Sequence, residues 1–233
     1  MKRRLASTDL IPINVPELGK KTAIHEAGHA AAIYLGNKQK QLPPVFFQLH
    51  IQAQGNNTPT TECLCTSYDT CTHNMTKIEG GRLIHTLPAS VDTAISGFSD
   101  SEKQAYLLAY EADIINLLAG PLAEAYYLAL RDDEPISPNL ITPNSLHYYG
   151  GASDLESVNQ YLACLYTDPL QQTAKLSELF LAAFEFVNTT SHWQAIVALA
   201  DTILGSRKDV LNCAEIMSVL DIYSYRGRNS AWC

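Results

Sequence analysis

The chain lacks any apolar run approaching the roughly 20 residues that a membrane-spanning helix needs, so no such span is expected. Basic residues are also scarce. Sixteen Lys and Arg stand against 24 Asp and Glu, a net charge of −8, and no basic stripe lies beyond Lys2-Arg3-Arg4. That balance argues against nucleic acid as a partner. The amino-terminal stretch from Leu5 to Leu18 is broken by Asp9, Pro12, Asn14 and Pro16 and cannot form the core of a signal peptide. Internal repeats and low-complexity tracts are missing. These absences predict a cytoplasmic protein whose six cysteines are mostly reduced. What remains is globular in kind: 46% hydrophobic and 17% charged residues over 233 positions suffice for one compact domain with a sizeable core.

Histidine is uncommon as well, at seven residues, yet two of them fall in His25-Glu26-Ala27-Gly28-His29. A chance H-E-x-x-H in such a chain is on the order of one in a hundred. The flanks predict a helix over about 20–36: Thr22 and Ala23 open it, Ala30 to Leu35 continue it, and Gly36-Asn37 end it. Residues four apart on a helix share a face, so both imidazoles can point at one metal ion. Glu26 lies one step round from the first histidine, placed to act as a base on a water. Two imidazoles and a carboxylate base are the apparatus of a zinc hydrolase. Gly28 costs about 1 kcal/mol against alanine in a helix, a cost that fits close approach of another backbone or of a substrate.

The rest of the chain reads as mainly helical with a short sheet. Residues 1–19 form an extended lead-in. A strand is predicted over Val45 to Ile51 and a second around Arg82 to Thr86. Between them, 52–77 is a polar loop or insertion. Ser99 and Glu102 form a capping box ahead of the apolar-periodic segment Tyr106, Leu107, Tyr110, Ile114, Leu117, Leu118. Gly120-Pro121 should kink or split that helix before it resumes to about Leu130. Residues 132–149 should be loop. Helices follow over Asp154 to Leu165, from Asp168-Pro169 to about Val187, from a Ser191 cap to Leu204, and over about Val210 to Tyr223, with 224–233 as a tail.

A catalytic zinc takes three protein ligands and keeps one open position. Asp154, in Gly150-Gly151-Ala152-Ser153-Asp154-Leu155, is a candidate third ligand, although spacing alone favours a plain helix cap. A second grouping, Cys63, Cys65, Cys71 and His73, sits inside the polar insertion. It offers four soft ligands for a structural zinc, against the alternative of free or redox-active thiols. Cys164 and Cys213 read as core residues on helices. His147, Tyr148 and Tyr149 are candidates for oxyanion stabilisation, with an ordinary loop role as the alternative.

Three segments in order carry a resemblance: His25-Glu26-Ala27-Gly28-His29-Ala30, Leu118-Ala119-Gly120-Pro121-Leu122-Ala123-Glu124, and Gly151-Ala152-Ser153-Asp154-Leu155. Together they resemble the peptidase domain of the FtsH family of ATP-dependent zinc proteases, over most of residues 20–220. The resemblance implies a mainly α, FtsH-like helical domain over 20–223, with a small β-sheet or hairpin beside the zinc helix. It implies zinc held by His25, His29 and Asp154, with Glu26 as general base. Glu124 becomes a candidate for orienting a histidine ligand, with a solvated or core salt-bridge role as the equal alternative. The chain shows no ATPase module. The implied activity is therefore ATP-independent cleavage of peptides, loops or unfolded chains, alone, as a homo-oligomer or with a delivering partner. The competing reading is a peptidase-like zinc-binding scaffold or regulator with little catalysis.

Overall fold

The structure is a computed structural model in which residues 15–51 and 76–224 are described. It is mainly helical. Helix α1 spans Val15–Ala31, beginning earlier than the sequence predicts. It runs on through a π-helical turn, Ala32–Gly36, into the single turn α2, Asn37–Gln39. Gly36 and Asn37 therefore do not stop the helix. Gly36 keeps right-handed helical angles and packs on the Phe186 ring, and Asn37 is buried beside Asn116. The left-handed residue comes later, at Gln41, with φ 55°.

Strands β1 (Phe47–Ile51), β2 (Thr76–Gly80) and β3 (Val210–Leu211) form an antiparallel sheet in the order β2-β1-β3. The strand expected around Arg82 to Thr86 is absent, and β2 lies just before it. Two features end β2 early. Gly80 and Gly81 take φ of 84° and 82°, and a Cβ at Gly80 would fall 2.6 Å from the Phe46 carbonyl. The next backbone donors are then claimed by a side chain: the Leu83 and Ile84 N–H groups both donate to the Asp113 carboxylate, at 2.8 Å each. A segment whose N–H groups cap a carboxylate cannot ladder with a strand.

A short helix α3, Val91–Ala94, precedes α4, Asp100–Arg131, which opens with the expected Ser99–Glu102 capping box. Helix α4 passes through Pro121 without being split. Both flanking turns are buried, so tertiary packing sustains the helix across the one hydrogen bond a proline forfeits. The 132–149 segment contains a 3-10 turn, Pro143–Tyr149. Helix α5 spans Ala152–Leu165, and α6 spans Pro169–Asn188 with the expected Asp168 cap. Helix α7, Thr190–Gly205, starts after Thr189 rather than Ser191, and the Thr189 hydroxyl donates back to the Glu185 carbonyl instead of capping it. The last helix, α8, covers Cys213–Ser224, because Val210 and Leu211 pair with β1 instead. The Cys63, Cys65, Cys71 and His73 grouping lies outside the described residues. Among the described residues, no helix is long and apolar enough to cross a membrane.

Helices α1 and α4 cross at the centre, with α7 on the other side of α1 and α6 against α4. One continuous apolar cluster joins them, built on fully buried Ile24, Ile114, Leu118, Leu122, Ile196 and Leu199. The half-buried Cys164 and Cys213 pack against it. Asp113 is the buried acid of this core. Burial holds its carboxyl above the usual carboxylate range, although the Leu83 and Ile84 N–H groups and the Tyr161 hydroxyl donate to it. Asp113→Ala would strand those donors. It is expected to lower unfolding free energy by about 3 kcal/mol, read from the denaturation midpoint.

Candidate metal centre

His25 and His29 sit one turn apart on the face of α1 that meets α4 and the start of α5. Their rings lie 4.8 Å apart, edge to face, and both residues are buried. What seats them there is an absence of side chains. A Cβ at Gly28 would lie 2.7 Å from both the Ala119 carbonyl and the Ala123 Cβ. The close approach that Gly28 implied is thus that of the α4 backbone. A Cβ at Gly120 would fall 2.2 Å from His29 Nε2. Gly120, read from sequence as a helix breaker, is the space the His29 ring occupies.

Each imidazole is anchored through its outer nitrogen. His29 Nδ1–H donates to the Asn116 carbonyl at 2.7 Å, and His25 Nδ1–H donates to Glu124 Oε2 at 3.2 Å. A carbonyl and a carboxylate only accept, so both Nδ1 atoms carry protons when the rings are neutral. Both Nε2 lone pairs are then free for a cation. Backing a ligating histidine with a carboxylate or carbonyl is the usual way such rings are oriented.

Asp154 comes from the other side. The 3-10 turn ends at Gly150, whose φ of 70° turns the chain sharply. A Cβ there would press on Glu124 Oε2 at 3.0 Å and His25 Nδ1 at 3.2 Å. Gly151 then lies flat on the Pro121 ring, where a Cβ would come within 2.7 Å. Only this close passage over α4 lets the first turn of α5 reach the histidines. The cap of α5 is Gly151, not Asp154, which frees the Asp154 carboxylate. Its Oδ2 lies 3.3 Å from His25 Nε2, and its Oδ1 lies 3.5 Å from His29 Nε2.

One nitrogen from each histidine and one Asp154 oxygen all fall within 4.8 Å of one another. Ligands about 2.1 Å from a tetrahedral zinc stand roughly 3.4 Å apart along an edge; the two histidine–aspartate separations lie near that but use different Asp154 oxygens, and the group taken with one atom per residue is wider, at up to 4.8 Å. The donor set, two imidazole nitrogens and a carboxylate oxygen, is one that zinc takes. Five residues named from sequence are thus brought together: His25, Glu26, His29, Glu124 and Asp154. His147, Tyr148 and Tyr149 do not line the cleft around them.

That cleft encloses about 610 Å³ between α1, β2 and α5, with Glu26, Ile78, Arg82 and Ser157 on its walls. Glu26 is placed by β2: the Ile78 N–H donates to its Oε2 at 2.7 Å. Asn116, Gly120, Gly150 and Ile78 carry parts of the site that sequence reading does not assign. Asn116 and Ile78 contribute only backbone atoms and leave no trace in residue type. The glycines do leave one, as residues of poor propensity beside a helix and within another.

Burial pulls the His25 imidazole down, but hydrogen bonds to Asp154 and Glu124 outweigh it and push its pKa up to about 10. Burial raises Asp154, and the two histidines outweigh that, leaving it below its ordinary value. His25 is raised relative to about 6.5 in the unfolded chain. Its contribution to metal-free stability is therefore complete below pH 6.5 and lost as pH rises through about 10. Asp154 contributes the opposite limb, lost as pH falls through its depressed folded value. Metal-free protein is thus expected to lose melting temperature between pH 7 and pH 10. A cation displaces the His25 proton, so zinc binding at pH 7.5 should release about one proton and tighten as pH rises. Calorimetric titration in buffers of different ionisation enthalpy measures that proton.

No protein-family model, curated protein or solved structure matches the chain.

Proposed function

We propose that this chain is a zinc-dependent endopeptidase with an FtsH-like peptidase fold that cleaves peptides or unfolded proteins without ATP. One observation carries the reading: two imidazoles, each oriented through Nδ1, and a carboxylate from a distant helix bring one ligand atom each within 4.8 Å of one another. His25, His29 and Asp154 would hold the ion, and Glu124 and the Asn116 carbonyl keep the rings in place. A zinc ion at such a site supplies Lewis acidity, lowering the pKa of a water and polarising a carbonyl. Glu26 takes the proton of the attacking water and passes it to the leaving amine nitrogen. Retention of this carboxylate in a cleft favours hydrolysis over a scaffold role, because ion binding alone does not need it.

The substrate lies extended along β2, whose outer edge borders the cleft. That edge strand is Thr76–Gly80. Zinc content by anomalous scattering or atomic absorption tests the ligand set. Asp154→Ala is expected to weaken zinc binding by about 100-fold or more and to abolish casein cleavage. Full zinc loading in that variant would remove Asp154 from the ligands.

A further inference from the structure

The Glu26–Ile78 hydrogen bond joins two groups that the peptidase reading needs elsewhere. Register fixes which way Ile78 faces. The Gly81 N–H donates to the Phe46 carbonyl, and Phe47 stands opposite Gly80. Hydrogen-bonded pairs alternate along an antiparallel ladder, so Gln48–Glu79 and His50–Lys77 are bonded pairs, while Leu49–Ile78 is not. The other side of β1 agrees, since the Ile51 N–H is spent on the Asp209 carbonyl beside β3. The Ile78 N–H and C=O therefore point away from β1, off the outer edge of β2. Among the described residues no strand pairs with that edge. The Ile78 donor is the group an extended chain entering the cleft would use, and the Glu26 carboxylate holds it at 2.7 Å.

We infer that the Ile78 N–H is a substrate-binding donor that Glu26 occupies until a peptide carbonyl takes its place, so that docking on β2 and release of the base are one exchange. This rests on the peptidase reading above. The exchange trades one hydrogen bond for another, so its net cost is small, but it ties base availability to strand addition. A small molecule that reaches the His25 and His29 side of the cleft without pairing on β2 leaves Glu26 where it is.

The test separates the exchange from catalysis by using inactive variants loaded with zinc. Fluorescein-labelled casein is titrated against Glu26→Gln and Glu26→Ala, each with and without Ile78→Pro. The glutamine oxygen still accepts from Ile78; alanine cannot. Proline at 78 removes the outward N–H, a loss an edge position tolerates, together with the half-buried isoleucine side chain, which the comparison within the proline pair cancels. The expected result is that Glu26→Ala binds casein about three- to tenfold more tightly than Glu26→Gln, and that Ile78→Pro erases the difference. Equal binding of the two single variants, or a difference that survives proline, overturns the exchange while leaving the peptidase reading intact. Failure of all four to bind casein sinks the peptidase reading, and the exchange with it. Amide hydrogen exchange at Ile78 keeps the outcome decidable should the proline variant unfold. Protection there should be lost in Glu26→Ala and restored by casein; an Ile78 amide left exposed in the casein complex rejects the exchange.

Discussion

Glu26→Gln is expected to lower peptide cleavage by about a hundred- to ten-thousand-fold while leaving zinc content unchanged. The size follows from the chemistry. An amide cannot take the water's proton or hand it to the leaving nitrogen, yet it nearly matches the carboxylate in shape. The structure explains why zinc should survive: Glu26 is not in the group of candidate ligands, and its Oε2 accepts from the Ile78 N–H on β2. Cleavage of fluorescent casein, compared at matched zinc occupancy, measures the effect. A variant that cleaves as well as the parent would falsify the base assignment. Inactivity of both proteins at full zinc occupancy would instead favour the scaffold.

Gly120→Ala carries the second large effect, at a residue with no chemistry of its own. The added methyl would lie 2.2 Å from His29 Nε2 and 2.6 Å from its Cδ2, so the ring must move. It cannot move freely, because its Nδ1–H is held by the Asn116 carbonyl. Overpacking a filled interior costs about 1–3 kcal/mol. Turning a ligating nitrogen off its ion costs about 10- to 100-fold in affinity, as loss of an orienting partner does. Both effects are expected together, as a lower melting temperature and weaker zinc binding. Gly97→Ala is the control: a Cβ there meets nothing within 4 Å, and stability should stay within about 0.5 kcal/mol of the parent. Normal zinc affinity in Gly120→Ala would mean that His29 is not held as the structure shows.

Some of this was legible in residue order. The pair at 25 and 29 depends only on helical geometry, which the alanine-rich flank secures. The Ser99–Glu102 box and the Asp168 cap are local hydrogen bonds, and both form as the sequence predicts. Other signals were misread because packing overruled them. Gly36-Asn37 reads as a stop, yet both residues are buried and the helix continues to α2. Pro121 reads as a break, yet it lies in a buried stretch of α4 and supports Gly151. Leu83 and Ile84 read as strand residues, yet a buried acid thirty positions away takes their N–H groups.

Sequence by itself determined the candidate residues of the site and the periodicity that makes most of the chain helical, since both are written in side-chain type over a few turns. Tertiary structure alone decided that Asp154 faces the histidines instead of capping its helix, that Glu124 and a bare carbonyl hold the rings, and that Glu26 rests on an edge strand. Those outcomes depend on where two helix backbones can touch. Glycine at 28, 120, 150 and 151 permits that contact, and only the folded packing of α1 against α4 puts it to use.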